Sequence, residues 1–266
     1  DKSIGICSCF GFFVEKNMRG KNMLSTFTIS FENNRKLNYN SGSLMQGVLM
    51  EQIKSEYAER LHESGLNPYS QHLRFQEDQV QWKISTLTKE ARENIIIPML
   101  QMKEEILAIK HLNLDLQIQN RKLEELTYEK LMEKYYFGKC KPYLSLEFAT
   151  PTAFKVDGKY QFYPTIFHVF QSLAKKYDAV SGETEIFSEE LMREIEEHLF
   201  IINYNLHSCT FSLEGVRIPA FKGSITLRST GPQMFTNLIH MLAAFGTFSG
   251  VGIKTAMGMG ALSIRE

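Results

Sequence analysis

Near the end of the chain, eleven residues read Gly250-Val-Gly-Ile-Lys-Thr-Ala-Met-Gly-Met-Gly260, four glycines around one lysine, Lys254. Glycine lets backbone N–H groups turn outward and lets a ligand come close to the main chain, so Gly250, Gly252, Gly258 and Gly260 can form a concavity for an anion. Lys254 adds a compact positive charge suited to phosphate. Context excludes two familiar phosphate loops. A dinucleotide fingerprint needs a strand before the glycines and a helix after them, and here a helical pattern precedes and a strand-like pattern follows. A P-loop needs Gly-Lys-Ser/Thr opening a helix, whereas Lys254 follows Ile253. A plain surface turn with incidental glycines is the alternative to a ligand loop.

Histidine is the other group able to move protons near neutral pH, and the chain has seven. His62 falls at the end of a helical pattern, where the helix dipole favours a charged imidazolium. Taken alone, such a histidine reads as a surface cap. His72 opens a strand-like run and reads as structural. His111, His168, His198, His207 and His240 are scattered without ligand spacing, so no metal site and no cofactor are expected. The four cysteines, Cys7, Cys9, Cys140 and Cys209, have no zinc spacing and read as reduced thiols.

These groups need elements to position them. Leu24–Phe31 alternates apolar and polar residues as a strand does. After an Asn-rich loop (Asn33, Asn34, Asn38, Asn40), Ser41 or Ser43 can cap one helix running to about Glu63. Its buried face is Leu44, Val48, Leu49, Ile53, Tyr57 and Leu61. Leu73–Gln76 and Gln79–Leu87 form a hairpin through Glu77-Asp78, a helix covers Lys89–Met102, and Leu112–Ile118 is a strand. The order β-α-β-β-α-β is the ferredoxin-like motif. It then starts again with a strand at Tyr143–Phe148 and a helix opened by Pro164 and faced by Phe167, Phe170, Leu173 and Tyr177. An acidic helix (Ser188–Leu199), a long pair of strands (Asn203–Leu213, Ala220–Leu227), a helix after Gly231-Pro232 and a strand at Ala261–Ile264 complete it. The fold class expected is α+β, two tandem ferredoxin-like (RRM-like) domains. The N-terminal domain covers 23–130, a linker covers 131–142, and the domain with the glycine-rich loop covers 143–266. Residues 1–22 are expected to be an extension upstream of the fold, because the first convincing strand begins after Met23.

The pattern G-x-G-x-K-x-x-x-G-x-G ahead of a final strand resembles the glycine-rich loop of the RAMP superfamily. More narrowly, it is similar to that of the CRISPR-associated endoribonucleases that cut repeat transcripts into guide RNAs. Gln46-Gly47-Val48-Leu49, Leu61-His62-Glu63 before Pro68-Tyr69-Ser70, and Tyr163-Pro164 to Val169-Phe170-Gln171-Ser172-Leu173 carry the same resemblance, over about residues 23–266. It implies two ferredoxin-like domains and a metal-independent reaction. The RNA's own 2′-hydroxyl attacks the neighbouring phosphate, leaving a 2′,3′-cyclic phosphate and a 5′-hydroxyl. Such a reaction needs a base, an acid and cations for the phosphorane. The resemblance gives the proton role to His62. Some members add a tyrosine early in that helix, where this chain has Met50, and a lysine about six residues past the histidine, where it has Pro68. Tyr57, Tyr69 and Lys54 are the available substitutes.

The chain's 30 Lys+Arg against 30 Asp+Glu sum to zero, which taken alone speaks against nucleic acid. The distribution points the other way. From Gly215 to Arg265 there are five cations, Arg217, Lys222, Arg228, Lys254 and Arg265, and no acid, while Glu183–Glu197 holds seven glutamates and one arginine. One basic face can follow a phosphate backbone while the whole chain stays neutral. Arg217, Lys222 and Arg228 are therefore expected to extend the RNA-binding surface of the glycine loop. Most of the nineteen phenylalanines sit at core-compatible positions, and none is assigned to base stacking. No apolar run reaches the 18 residues that a membrane helix needs. The expected partners are CRISPR repeat RNA as precursor guide RNA, a second copy of the chain, and transiently a multisubunit effector complex, in a prokaryotic cytoplasm. The alternatives are a non-catalytic RAMP subunit that binds guide RNA and an unrelated nucleotide-binding enzyme.

Overall fold

A computed structural model of the chain describes residues 23–32, 36–63, 65–181, 185–213 and 215–265. The expected extension 1–22, with Cys7 and Cys9, lies outside them. Two lobes follow one another. The first contains β1 (Met23–Glu32), α1 (Gly42–Gln52), α2 (Ser55–Glu63), β2 (Tyr69–Phe75), β3 (Gln79–Thr86), α3 (Lys89–Ala91), α4 (Ile97–Gln101), β4 (Ile106–Ile109) and β5 (Leu114–Thr127). Its antiparallel sheet has the order β2-β3-β1-β5-β4, the ferredoxin-like arrangement with β4 added at one edge. Phe27, Ile29, Phe31, Trp82 and Ile84 point to the helices and form the core with Tyr57, Leu61 and Ile95. Burying each large apolar side chain contributes roughly 1.5–3 kcal/mol, the main favourable term here.

The second lobe begins with the short α5 (Tyr128–Leu131), followed by β6 (Tyr143–Thr152), the small hairpin of β7 (Phe154–Val156) and β8 (Lys159–Gln161), α6 (Ile166–Ser181) and α7 (Glu189–His198). The long hairpin of β9 (Leu199–Leu213) and β10 (Val216–Ser229), α8 (Gln233–Ser249) and β11 (Leu262–Arg265) complete it. Its sheet order, β11-β6-β10-β9, repeats the ferredoxin-like arrangement. The expected α+β class and tandem ferredoxin-like topology are therefore what the chain forms.

Local details depart from the expectations for physical reasons. The single helix expected up to Glu63 is two helices, because Ile53 adopts an extended backbone (φ −106, ψ 160) that sends its side chain into the core. Ser41 does stand at the N-cap position of α1, but its side chain makes no capping bond to that helix. Asn38 caps the preceding 3-10 turn (Tyr39–Ser41) in a reciprocal box with Ser41. Pro164, expected to open α6, lies just before it: the helix starts at Ile166 and Thr165 caps it, its hydroxyl accepting the His168 N–H at 3.1 Å. The strand expected at Leu112–Ile118 forms from Leu114 on, as the second arm of a hairpin with β4: Lys110–Leu112 is a 3-10 turn ending in left-handed Asn113 (φ 45). Its second arm runs to Thr127 because pairing with β1 extends through the charged segment, with Leu123 opposite Phe27. Part of the expected linker 131–142 is helical. Tyr128, Leu131, Met132 and Tyr136, on α5 and the π turn after it, are buried in the second core.

Candidate functional site

The glycine-rich loop joins α8 to β11, and its shape explains its glycines. Gly252 (φ +76) and Gly260 (φ +69) need a backbone that side chains rarely adopt. A Cβ would lie 2.3 Å from the Ala153 carbonyl oxygen at the first and 2.0 Å from that of Val251 at the second. The expected anion concavity needs correction, because several of these amides are already engaged. The N–H of Gly250 donates to Gly246 O (2.9 Å), that of Gly252 to Ser172 Oγ (2.9 Å) and that of Gly260 to Pro151 O (3.0 Å). The glycines act by allowing close packing. What the loop turns outward is Lys254, exposed and itself left-handed (φ 55) at the start of a 3-10 turn, Thr255–Met257.

That turn docks on the first lobe. Ala256 is buried in the first core, and Gly258 packs so closely on Gly42, at the start of α1, that a Cβ on either would lie within about 3.0 Å of the other's Cα. Gln71, fully buried in β2, links both lobes. Its Nε2 donates to Gly42 O (2.7 Å) and to Ala256 O (3.0 Å), while its Oε1 accepts from Trp82 Nε1 (2.9 Å). A buried amide satisfied on every side fixes one docking geometry. Sequence reasoning missed Gln71 because it began this strand at Leu73; the polar residue inside the run Tyr69–Phe75 was the available signal.

His62 lies on the last turn of α2, exposed, while Tyr57 and Leu61 on the other side of the helix are buried in the first core. Lys54 is exposed at the break between α1 and α2, and its carbonyl accepts the N–H groups of Tyr57 and Ala58, both at 3.0 Å. Tyr57 is corrected as a substitute proton donor. It is 5% exposed under the Arg60 guanidinium (5.0 Å to the ring centroid), and burial, then the nearby Glu90 charge, pushes its phenol up to about 12. Tyr69 is equally a core residue, accepting from Gln46 Nε2 at 3.2 Å.

Three other histidines have structural contacts. His72 pairs across the sheet with Lys83, and burial, then the charges of Lys83 and Arg74, hold its pKa down to about 3. His168 meets the Thr165 hydroxyl and stacks on Phe154, and His240 bonds the Lys141 carbonyl at 2.9 Å. Among the described residues no group of three His, Cys, Asp or Glu could hold a metal ion, and no helix is long and apolar enough to cross a membrane.

The three cations of β10 do not form one compact patch, since Arg217 and Arg228 are about 37 Å apart along the strand at its usual rise. Lys222 is the one brought to the loop. Its Nζ lies 5.2 Å from the centroid of Tyr39, whose carbonyl is 3.8 Å from the Cβ position of Gly258. Arg217 is opposite Ser212, whose N–H donates to Asn40 Oδ1 of the first lobe (2.8 Å). Arg228 stands opposite Tyr143 at the other end. Arg265 is paired with Glu147, whose carboxyl it holds below the usual range.

A model of the family described as CRISPR-associated endoribonuclease Cas6 matches residues 146–262. A protein of Streptococcus thermophilus with that name is 33% identical over 220 residues, covering 83% of this chain and 89% of its own. A Mycobacterium tuberculosis protein of the same name is 37% identical over 226 residues, covering 84% of this chain and 71% of its own. Among solved structures, a Cas6 product complex superposes with a TM-score of 0.76 at 19% identity, covering 92% of this chain and all of that one.

Proposed function

Because the chain belongs to the family of CRISPR-associated endoribonucleases Cas6, we propose that it cuts CRISPR repeat RNA by attack of the RNA's own 2′-hydroxyl. The 2′ oxygen bonds to the adjacent phosphorus, the bond from phosphorus to the 5′ oxygen breaks, and the products carry a 2′,3′-cyclic phosphate and a 5′-hydroxyl. The nucleophile is part of the substrate, so the protein needs only to hold the backbone in line and move protons. His62 takes part in proton transfer. Lys254 holds a phosphate beside the cut, and Lys222, Arg217 and Arg228 follow the backbone along the β10 hairpin.

The observation that carries this reading is the placement of His62. Its helix is anchored by Tyr57 and Leu61 in the core, and the imidazole is exposed and open to a large substrate. The experiment is incubation with repeat RNA in excess EDTA. Site-specific cutting is expected, reduced about 100-fold or more in His62→Ala and abolished by a 2′-deoxy nucleotide at the scissile position. Cutting that survives the deoxy substitution would rule out the 2′-hydroxyl mechanism. Binding without any cutting would make the chain a guide-RNA-binding subunit instead.

A further inference from the structure

On α6, His168, Ser172 and Lys176 recur every four residues and share one stripe, which lies under the glycine-rich loop. Ser172 holds the Gly252 N–H. One turn further on, the Lys176 amino group donates to the carbonyls of Ser249 (3.4 Å) and Gly250 (3.2 Å) and to the Thr255 hydroxyl (3.4 Å). Lys176 is 9% exposed, and among the described residues no carboxylate pairs with it. A lysine is almost never buried without an acidic partner, because desolvating its charge is costly. Here that burial lowers its pKa to about 7, and its three hydrogen-bond partners belong to the loop and the helix end that enters it.

The contacts join the two sides of one bend. Ser249 and Gly250 are where the chain leaves α8, and Thr255 directly follows Lys254, the residue in left-handed conformation. We propose that Lys176 is a positioning residue for RNA binding, its buried amino group tying the entrance of the glycine-rich loop to Thr255 and so fixing Lys254 outward toward the RNA backbone. This rests on the RNA-cutting function proposed above. It assigns part of the loop's stiffness to a buried side chain that does not itself meet the RNA.

The test compares the native protein with Lys176→Met, Thr255→Val and the double variant, measuring hydrogen exchange of the loop amides without RNA and cutting kinetics on the repeat RNA. Lys176→Met is expected to speed exchange in residues 250–258 and to raise KM about tenfold with kcat near its native value. Thr255→Val is expected to do the same more weakly. The double variant should be no worse than Lys176→Met alone, because both remove one tether. Unchanged loop exchange and KM in both single variants of a protein that cuts repeat RNA would overturn the proposal alone. So would a loss confined to kcat, or fully additive effects. If Lys176→Met does not fold, Thr255→Val decides by the same two readouts. A native protein that neither binds nor cuts repeat RNA would overturn the proposed function and this inference with it.

Discussion

In the first lobe the connection between the first two ferredoxin strands is broken at Ile53 into helices of 11 and 9 residues, and the second helical segment runs through a π turn at Arg92–Ile96. In the second lobe the same connection holds α6, of 16 residues, and then the separate α7, of 10, while the last connection is the single 17-residue α8. The same strand order thus carries two kinds of helical layer. The break lets α2 start afresh, so that Tyr57 and Leu61 face the core while His62 faces outward. Helices α6 and α8 give the glycine-rich loop a firm base, with α8 feeding it and α6 bonding it from below. The residues proposed for proton transfer (His62) and for backbone binding (Lys254) fall on different lobes, and the loop carrying Lys254 docks Ala256 into the first core. A two-lobed site of this kind depends on its docking contacts as much as on its reactive groups.

The glycines separate the lobes most sharply. Gly260→Ala should destabilise by about 3 kcal/mol, since its Cβ meets the Val251 carbonyl in a left-handed backbone that hydrogen bonds hold on both sides. Gly47→Ala, in α1 with nothing within 4 Å of its Cβ, should instead be neutral or stabilising by up to about 1 kcal/mol. Thermal unfolding of the two variants measures the contrast directly, and equal effects would mean that the loop is not tightly packed.

The docking itself is broken next. Gln71→Leu leaves the Gly42 and Ala256 carbonyls and the Trp82 N–H without their partner, an expected loss of about 2–3 kcal/mol. RNA cutting should fall with it even though Gln71 lies away from His62 in sequence, and activity measured below the unfolding transition checks this.

A third effect, seen only as pH falls, concerns the sheet of the first lobe. His72 titrates normally at 6.5 when unfolded but near 3 when folded, so the unfolded chain binds more protons between those values. The contribution from neutral His72 is fully present above about pH 6.5 and is lost progressively as pH falls toward 3. Urea midpoints measured from pH 7 to pH 4 should decline more steeply in the native protein than in His72→Asn.

The topology was legible in the sequence because alternation and helical spacing are local signals, and both lobes carry them. The glycine loop was also legible as a motif, with Lys254 as its exposed charge. Its glycines were read as ligand-facing, however, and the structure shows three of their amides bonded to the protein. Sequence spacing cannot reveal which acceptor a backbone amide meets. Helical spacing had already placed Tyr57 on the buried face, and the structure puts its ring in the core, away from the chemistry the resemblance offered it. The polar stripe at 168, 172 and 176 drew no reading from the sequence, where only the apolar face of that helix stood out. Its meaning depends on what lies above that face of α6.

By itself, then, the amino-acid sequence determined the element order, the apolar faces, the loop's glycines and the presence of a histidine at a helix end. These follow from backbone sterics and local periodicity. The break at Ile53, the Gln71 link and the Lys176 tether were decided by tertiary structure, because each depends on contact between segments far apart in the chain. Gln71 and Ala256 are separated by 185 residues. No local rule specifies such a pairing, and only the packing of one lobe against the other brings the two groups within 3.0 Å.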